Sequence, residues 1–236
     1  MRSVRLPMDL PSRFVYSTLT KHGSTAIHHA NSVLTSCHFI REKALLARGS
    51  AEAMGKHQTP QDSDEIDKRH SIWFDVFADS VDIHKRASRR NSYGPVNFVL
   101  DVALIEKAYT GRVWITKLNP TKWNGKNQSE RWFQSRSELD TDFSYGNFDH
   151  MVVFRHCGGR LPFGTFLKEI ILDDPQMKIE TGEDLYSVAW GALSLALTDA
   201  RLNVPITKRT CKHGCKCRRE YAEDPKRTHA AFVPAI

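Results

Sequence analysis

The chain has no apolar run approaching the roughly 18 residues that a transmembrane helix needs, so no membrane span and no membrane partner are expected. Its opening, Met1-Arg2-Ser3-Val4-Arg5-Leu6-Pro7, lacks the apolar centre of a secretory signal, which makes a cytoplasmic location the expectation. Neither a Gly-x-Gly-x-x-Gly loop nor a P-loop occurs, and this removes the parallel dinucleotide-binding fold as a reading. There is no internal repeat. Cysteine is scarce and odd in number: Cys37, Cys157, Cys211, Cys215 and Cys217 form no regular framework, which fits reduced thiols better than secreted disulfides.

With 236 residues, 40% hydrophobic and 26% charged, the chain can bury one sizeable core. A formal charge of +7 points to an anionic partner, either nucleic acid or a phosphate-rich ligand. Much of that excess is local, because Lys208 to Arg227 holds eight Lys or Arg against three Asp or Glu. Two parts are therefore expected, a domain over residues 1–207 and a basic, cysteine-containing tail over 208–236.

Local patterning gives a mixed α+β chain of short strands and peripheral helices. Strands are expected at 13–19, 26–30, 72–78, 95–100, 112–118, 151–154 and 169–172, from their β-branched and aromatic content. Helices are expected from Asn31 to about Ala47, over 63–69, in one or two turns at 102–108, and over 183–202. Residues 1–12 read as an exposed lead-in. Residues 49–62 read as a loop whose small side chains would permit a lid.

The stretch Ile72 to Asp101 has apolar runs on either side of a basic segment carrying Lys85, Arg86, Arg89 and Arg90. Such a rim suits a polyanion, and Asp75, Asp79, Asp82 and His84 could add hydrogen-bonding groups to the same cleft. The plainer alternative is two strands joined by a solvated helix. Further on, Trp123 and Trp132 stand among Lys122, Lys126, Arg131 and Arg136. Aromatics interleaved with cations can stack on single-stranded bases while holding phosphate, or they can simply anchor a long loop.

Two cysteine motifs are weighed in the same way. Adjacent His156 and Cys157 point to opposite faces of an extended chain, so a Gly-Gly turn is a better reading than a thiol nucleophile. The tail segment Cys211-Lys212-His213-Gly214-Cys215-Lys216-Cys217 offers four soft ligands in a spacing unlike a common zinc finger. Zinc on Cys211, His213, Cys215 and Cys217 is the minor reading. A flexible basic tail lying on a nucleic-acid backbone is the other.

Ala26-Ile27-His28-His29-Ala30-Asn31, the segment ending Leu45-Leu46-Ala47-Arg48, the helix ending Lys68-Arg69, Trp73-Phe74-Asp75-Val76-Phe77, Tyr93-Gly94-Pro95-Val96, Asp149-His150-Met151-Val152-Val153 and Leu161-Pro162-Phe163 resemble, in sequence and order, DarT-type DNA ADP-ribosyltransferase toxins. The resemblance spans roughly residues 24–173. It implies the split, mixed β-sheet of ADP-ribosyltransferases, NAD as substrate, single-stranded DNA as acceptor and a cognate antitoxin as partner. It further implies NAD contacts from His28, with His29 beside it, and from Asn31, Arg48, Asp75 and Tyr93, with Arg69 as the essential arginine. Ile27 stands where the family has tyrosine, and no glutamate precedes the Met151 strand, so the catalytic group falls to Asp149, with His150 as a possible general base. Lys85, Arg86, Arg89, Arg90, Trp123 and Trp132 would receive the strand. Transfer to protein or RNA, NAD hydrolysis, and a non-catalytic nucleic-acid-binding protein remain the alternatives.

Overall fold

The structure, a computed structural model, describes residues 10–56, 58, 61, 63–109 and 111–234. Most of the expected lead-in, residues 1–9, and positions 57, 59, 60 and 62 of the expected loop lie outside the described residues.

Leu10–Pro11 (β1) opens onto a helix, Ser12–Lys21 (α1), where a strand was expected. The reason is in the spacing of its apolar groups. Phe14, Val15, Thr18 and Leu19 are the buried residues of that run, an i, i+4 pattern that an alternating strand could not bury on one face. Ala26–Asn31 (β2) follows as expected, and Val33–Glu42 (α2) starts at Ser32, whose hydroxyl accepts the Thr35 N–H. The expected single helix then stops early, because Lys43 takes a left-handed conformation (φ 54°) and Ala44–Leu46 becomes a strand (β3).

Two short helices, Arg48–Ala53 (α3) and Asp64–Arg69 (α4), precede Val76–Ala78 (β4), which is shorter than expected. Next come Ile83–Ala87 (α5), capped by the Asp82 carboxylate, then Val96–Asp101 (β5), Leu104–Lys107 (α6) and Arg112–Ile115 (β6). Gln128–Arg131 (α7) and Arg136–Asp142 (α8) lead to Val152–Phe154 (β7), Arg160–Pro162 (β8) and Leu167–Leu172 (β9). Leu185–Ala200 (α9) is the long core helix, and Ile206–Lys208 (β10), Cys217–Glu223 (α10) and Pro225–Phe232 (α11) end the described chain.

The strands form two four-stranded sheets, in the orders β1-β6-β7-β4 and β10-β9-β5-β2, and a small pair β3-β8. All pairings are antiparallel except β10 with β9. The two large sheets meet where β2 and β4 exchange one pair of backbone hydrogen bonds: His28 N–H donates to Asp79 O at 2.8 Å and Asp79 N–H to His28 O at 2.8 Å. The result is a split, mixed sheet of the kind expected. α2 and α9 pack together, and the main core runs from β5 and β9 through Phe39, Phe98 and Phe163 to the buried face of α9, which carries Leu185, Ala189, Leu193, Ala196 and Leu197.

A second cluster lies apart from this core. Ile72, Trp114, Trp123, Trp132, Met151 and Val153 pack together, with Trp123 and Trp132 each 1% exposed. Arg155 is sandwiched against it, its guanidinium 4.8 Å from the Trp114 ring and 5.4 Å from the Trp132 ring, and its Nε pairs with Asp75 Oδ2 at 2.8 Å.

The C-terminal segment is not a flexible tail. β10 crosses residue 207, α11 folds back onto α2 and α9 with α10 packed against it, and Cys217, Tyr221 and Phe232 are buried. Phe232 is 0% exposed and meets Tyr221 edge-on at 5.4 Å. Phe232→Ala should therefore cost about 3–5 kcal/mol. In a chain of this size that lowers the melting midpoint by about 10 °C, where a loose tail would leave thermal denaturation unchanged.

Candidate functional site

Beyond the His28–Asp79 pair, β2 and β4 separate, and the space between them opens into a cleft. Where strands part, ladder groups lose their partners, and a side chain takes over here. His29 Nδ1–H donates to Phe77 O at 2.8 Å. That bond fixes the tautomer. His29 Nε2 becomes an acceptor at the cleft wall, and it has no hydrogen-bond partner among the described residues. Burial lowers the His29 pKa, which keeps the ring neutral.

Arg48, at the start of α3, is clamped by α4. Its Nη2 donates to Asp64 Oδ2 at 2.8 Å while its Nε lies 2.6 Å from Asp64 Oδ1, a two-point grip that holds the guanidinium plane. The Trp73 ring lies 5.7 Å from that guanidinium and 4.7 Å from Lys68 Nζ, and its Nε1–H donates to Glu52 at 3.0 Å. Gly49 makes this wall possible, because a Cβ there would stand 2.5 Å from Trp73 Cδ1.

Asp67, Asp75 and Asp79 complete the polar lining. Burial pushes the Asp67 carboxyl up to about 7, with Asp64 adding repulsion, and burial likewise pushes Asp79 up to about 7, with Asp82 adding to it. Asp75 is raised by burial too, against the opposing pull of Arg155. Burial, then the nearby Asp79 and Asp67, hold the Tyr93 phenol protonated up to about 12, so it stands at the cleft as a donor.

Of the residues expected to contact a dinucleotide, His29, Asn31, Arg48, Asp75 and Tyr93 line this cleft, and His28 does not. Neighbouring strand residues face opposite ways, so placing His29 in the cleft turns His28 out of it. His28 Nδ1 lies 3.3 Å from Asn97 Nδ2, and burial lowers its pKa to about 4 although Asp82 pulls upward.

The expected catalytic set is dispersed. Arg69 is exposed at the end of α4 and is not part of the cleft lining. His150 is buried between Phe133 and Phe143; its Nδ1 accepts the Ser144 N–H at 3.0 Å and its Nε2 faces Asn147 Nδ2 at 3.2 Å. With both nitrogens engaged it cannot take a substrate proton in this conformation. Asp149 sits at the rim, accepting the N–H of the cleft residue Asn119 at 3.1 Å and pairing with Lys122 Nζ at 2.8 Å.

Trp123 and Trp132 are core residues, so neither offers a face for a base. Lys85, Arg86 and Arg89 are exposed on and after α5. Arg89 pairs with Glu220 at 3.2 Å, and Arg90 lies 6.0 Å from the Tyr221 ring. Asp82 and His84, expected to share the cleft, instead line a second concavity with Cys211 and Cys215. The tail thiols gather with His84, while His213 is exposed and outside the group. Trp73 stands in one of the segments that carry the resemblance, whereas Asp67 and the Asp64 clamp had no local signal. Asp64 reads in sequence as a first-turn helix acid, and its pairing with Arg48 exists only through the packing of α3 on α4.

No protein-family model and no curated protein matches the chain. Among solved structures, Thermus sp. 2.9 DarT in complex with carba-NAD+ aligns over 79% of this chain and 96% of its own, at a TM-score of 0.47 and 11% identity. A likeness that distant leaves the chemistry of the cleft to its own residues.

Those residues make one prediction about pH. The folded chain keeps protons on Asp67 and Asp79 up to about 7, whereas an unfolded chain releases them near 3.8. Their contribution to stability is therefore fully present below 3.8 and is lost as pH rises through about 7. Urea denaturation of the ligand-free protein across that window should show a downward slope that Asp67→Asn and Asp79→Asn each flatten.

Proposed function

We propose that this cleft binds NAD and that the protein is an ADP-ribosyltransferase, moving ADP-ribose onto a base of single-stranded DNA with release of nicotinamide. One observation carries the reading. His29, Asn31, Arg48, Asp75 and Tyr93 come from four separate segments, each carrying a motif that resembles the DarT family, and all of them line one cleft. A toxin role with a cognate antitoxin follows from the same resemblance.

The chemistry available suits the ligand. The clamped Arg48 guanidinium offers planar, directional donors for a pyrophosphate, and the Trp73 indole offers a flat face for a ring. His29 Nε2 accepts from a ribose hydroxyl or the carboxamide, and the protonated Tyr93 phenol donates. As the bond between ribose C1′ and the nicotinamide nitrogen breaks, nicotinamide leaves with the electron pair and the sugar becomes oxocarbenium-like. A carboxylate at the rim stabilises that charge and accepts the proton displaced when the base nitrogen bonds to C1′. Asp149 is assigned this role. It exchanges its Lys122 partner for the ribose 2′-hydroxyl when substrate is bound, and Lys85, Arg86 and Arg89 hold the backbone of the strand.

The burial of Trp123 and Trp132 favours a second reading, in which NAD is turned over without a DNA acceptor, because the expected stacking platform is inside the core.

Nicotinamide release should be measured with and without mixed-sequence single-stranded DNA, followed by the mass of that DNA. DNA-dependent release with an added ADP-ribose mass is expected, and DNA-independent release supports the second reading. Arg48→Ala should weaken NAD binding by about tenfold or more. Asp149→Asn should abolish transfer while NAD binding and the melting curve hold. A wild-type protein that binds no NAD overturns both readings.

A further inference from the structure

Apart from the cleft, the second concavity gathers a different chemistry. Cys211 and Cys215 from the segment before α10, Cys217 at the start of α10, and His84 from α5 bring three sulfurs and one imidazole nitrogen within 4.8 Å of one another. The Cys211 and Cys217 sulfurs lie 3.3 Å apart, Cys211 Sγ lies 3.7 Å from His84 Nε2, and Cys215 Sγ lies 3.3 Å from the same nitrogen. Around a tetrahedral zinc ion, sulfurs stand about 3.8 Å apart and a sulfur and a nitrogen about 3.6 Å apart, from bond lengths near 2.3 and 2.0–2.1 Å. All the cysteines here are free thiols.

The surroundings are those of a metal ligand set. His84 is 2% exposed, and its Nδ1–H donates to Asp173 Oδ2 at 2.9 Å, which leaves the Nε2 lone pair aimed at the sulfurs. That carboxylate is itself held, accepting from the Tyr221 hydroxyl and from Arg209, so the ring is oriented from behind as a metal-bound histidine is. Lys85 and Lys212 line the same concavity and offset negative charge that three thiolates bring.

We propose that His84, Cys211, Cys215 and Cys217 bind one zinc ion and that this site is structural. Four protein ligands close the coordination sphere, which leaves no position for substrate. The ion ties the C-terminal segment to α5, a join already marked by the Lys216 N–H on Ser88 O at 2.8 Å and the Arg90 N–H on Glu220 Oε2 at 3.1 Å. The sequence signal was half visible: the thiols are adjacent in the chain, but the fourth ligand comes from 127 residues upstream.

The test is metal content of the full-length protein, purified reduced and without chelators, by mass spectrometry of the elements. One zinc per chain is expected. It should fall below about a tenth of an equivalent in Cys211→Ser and in His84→Ala, and stay at one in His213→Ala. Where the ligand variants fail to fold, the wild-type protein loaded with cobalt decides: intense visible bands of tetrahedral thiolate coordination support the site, and the weak spectrum of a six-coordinate ion overturns it. Zinc below a tenth of an equivalent even after reconstitution of the reduced wild type, an intact Cys211–Cys217 disulfide by mass, or loss of zinc in His213→Ala also overturns it.

Discussion

Among the described residues, the two large sheets exchange one pair of backbone hydrogen bonds, between His28 and Asp79, above a core to which both contribute. Sheet edges left open in an interior are costly, because each unpaired N–H and C=O has surrendered its water. β2 and β4 satisfy this with one exchange and then diverge, and the His29 ring bonds the Phe77 carbonyl just past the point of divergence. The side chain that closes the fold there is also the one that presents an acceptor to the cleft. Folding and site chemistry share one imidazole.

Ionic networks brace each side of that seam. On one side Asp75 and Arg155 pair beneath the Trp114 and Trp132 rings, and Arg48 grips Asp64. On the other, Arg209 bridges Asp82 and Asp173, and Asp173 also receives His84 and Tyr221. Buried ion pairs of this kind add little net stability compared with apolar packing, but breaking one partner is expensive, so they favour one arrangement of the elements over its alternatives. The C-terminal segment belongs to this second network, which is why its positive charge does not make it a loose arm. Arg209 is spent on two internal carboxylates and is 7% exposed as a side chain.

Much of the architecture was legible wherever one local signal dominated. β2, β5, β9 and α9 lie close to where side-chain periodicity puts them, and Ser32 and Asp184 cap their helices as such residues do. The cleft was half legible. Asn31, Arg48, Asp75 and Tyr93 line its walls, and of the two histidines named for it His29 lines the cleft while His28 faces away, since on a strand one residue is the whole difference between two faces. Trp123 and Trp132 misled for a related reason. Cations beside an aromatic look alike whether the ring is outside receiving a base or inside with an arginine laid on its face.

By itself the sequence determined the α+β class, most of the strands, the core helix, the basic balance and the chemical types available for a site. These follow from contacts a few residues apart and from composition, which the chain carries in its order. Only the tertiary structure decided that Arg48 meets Asp64, that His150 is walled in by Phe133 and Phe143, and that His84 rather than His213 joins the three thiols. Each of these is a choice of partner made across the fold, set by which surfaces the sheets and helices bring together, and local periodicity names the face that will be buried without naming what it will meet.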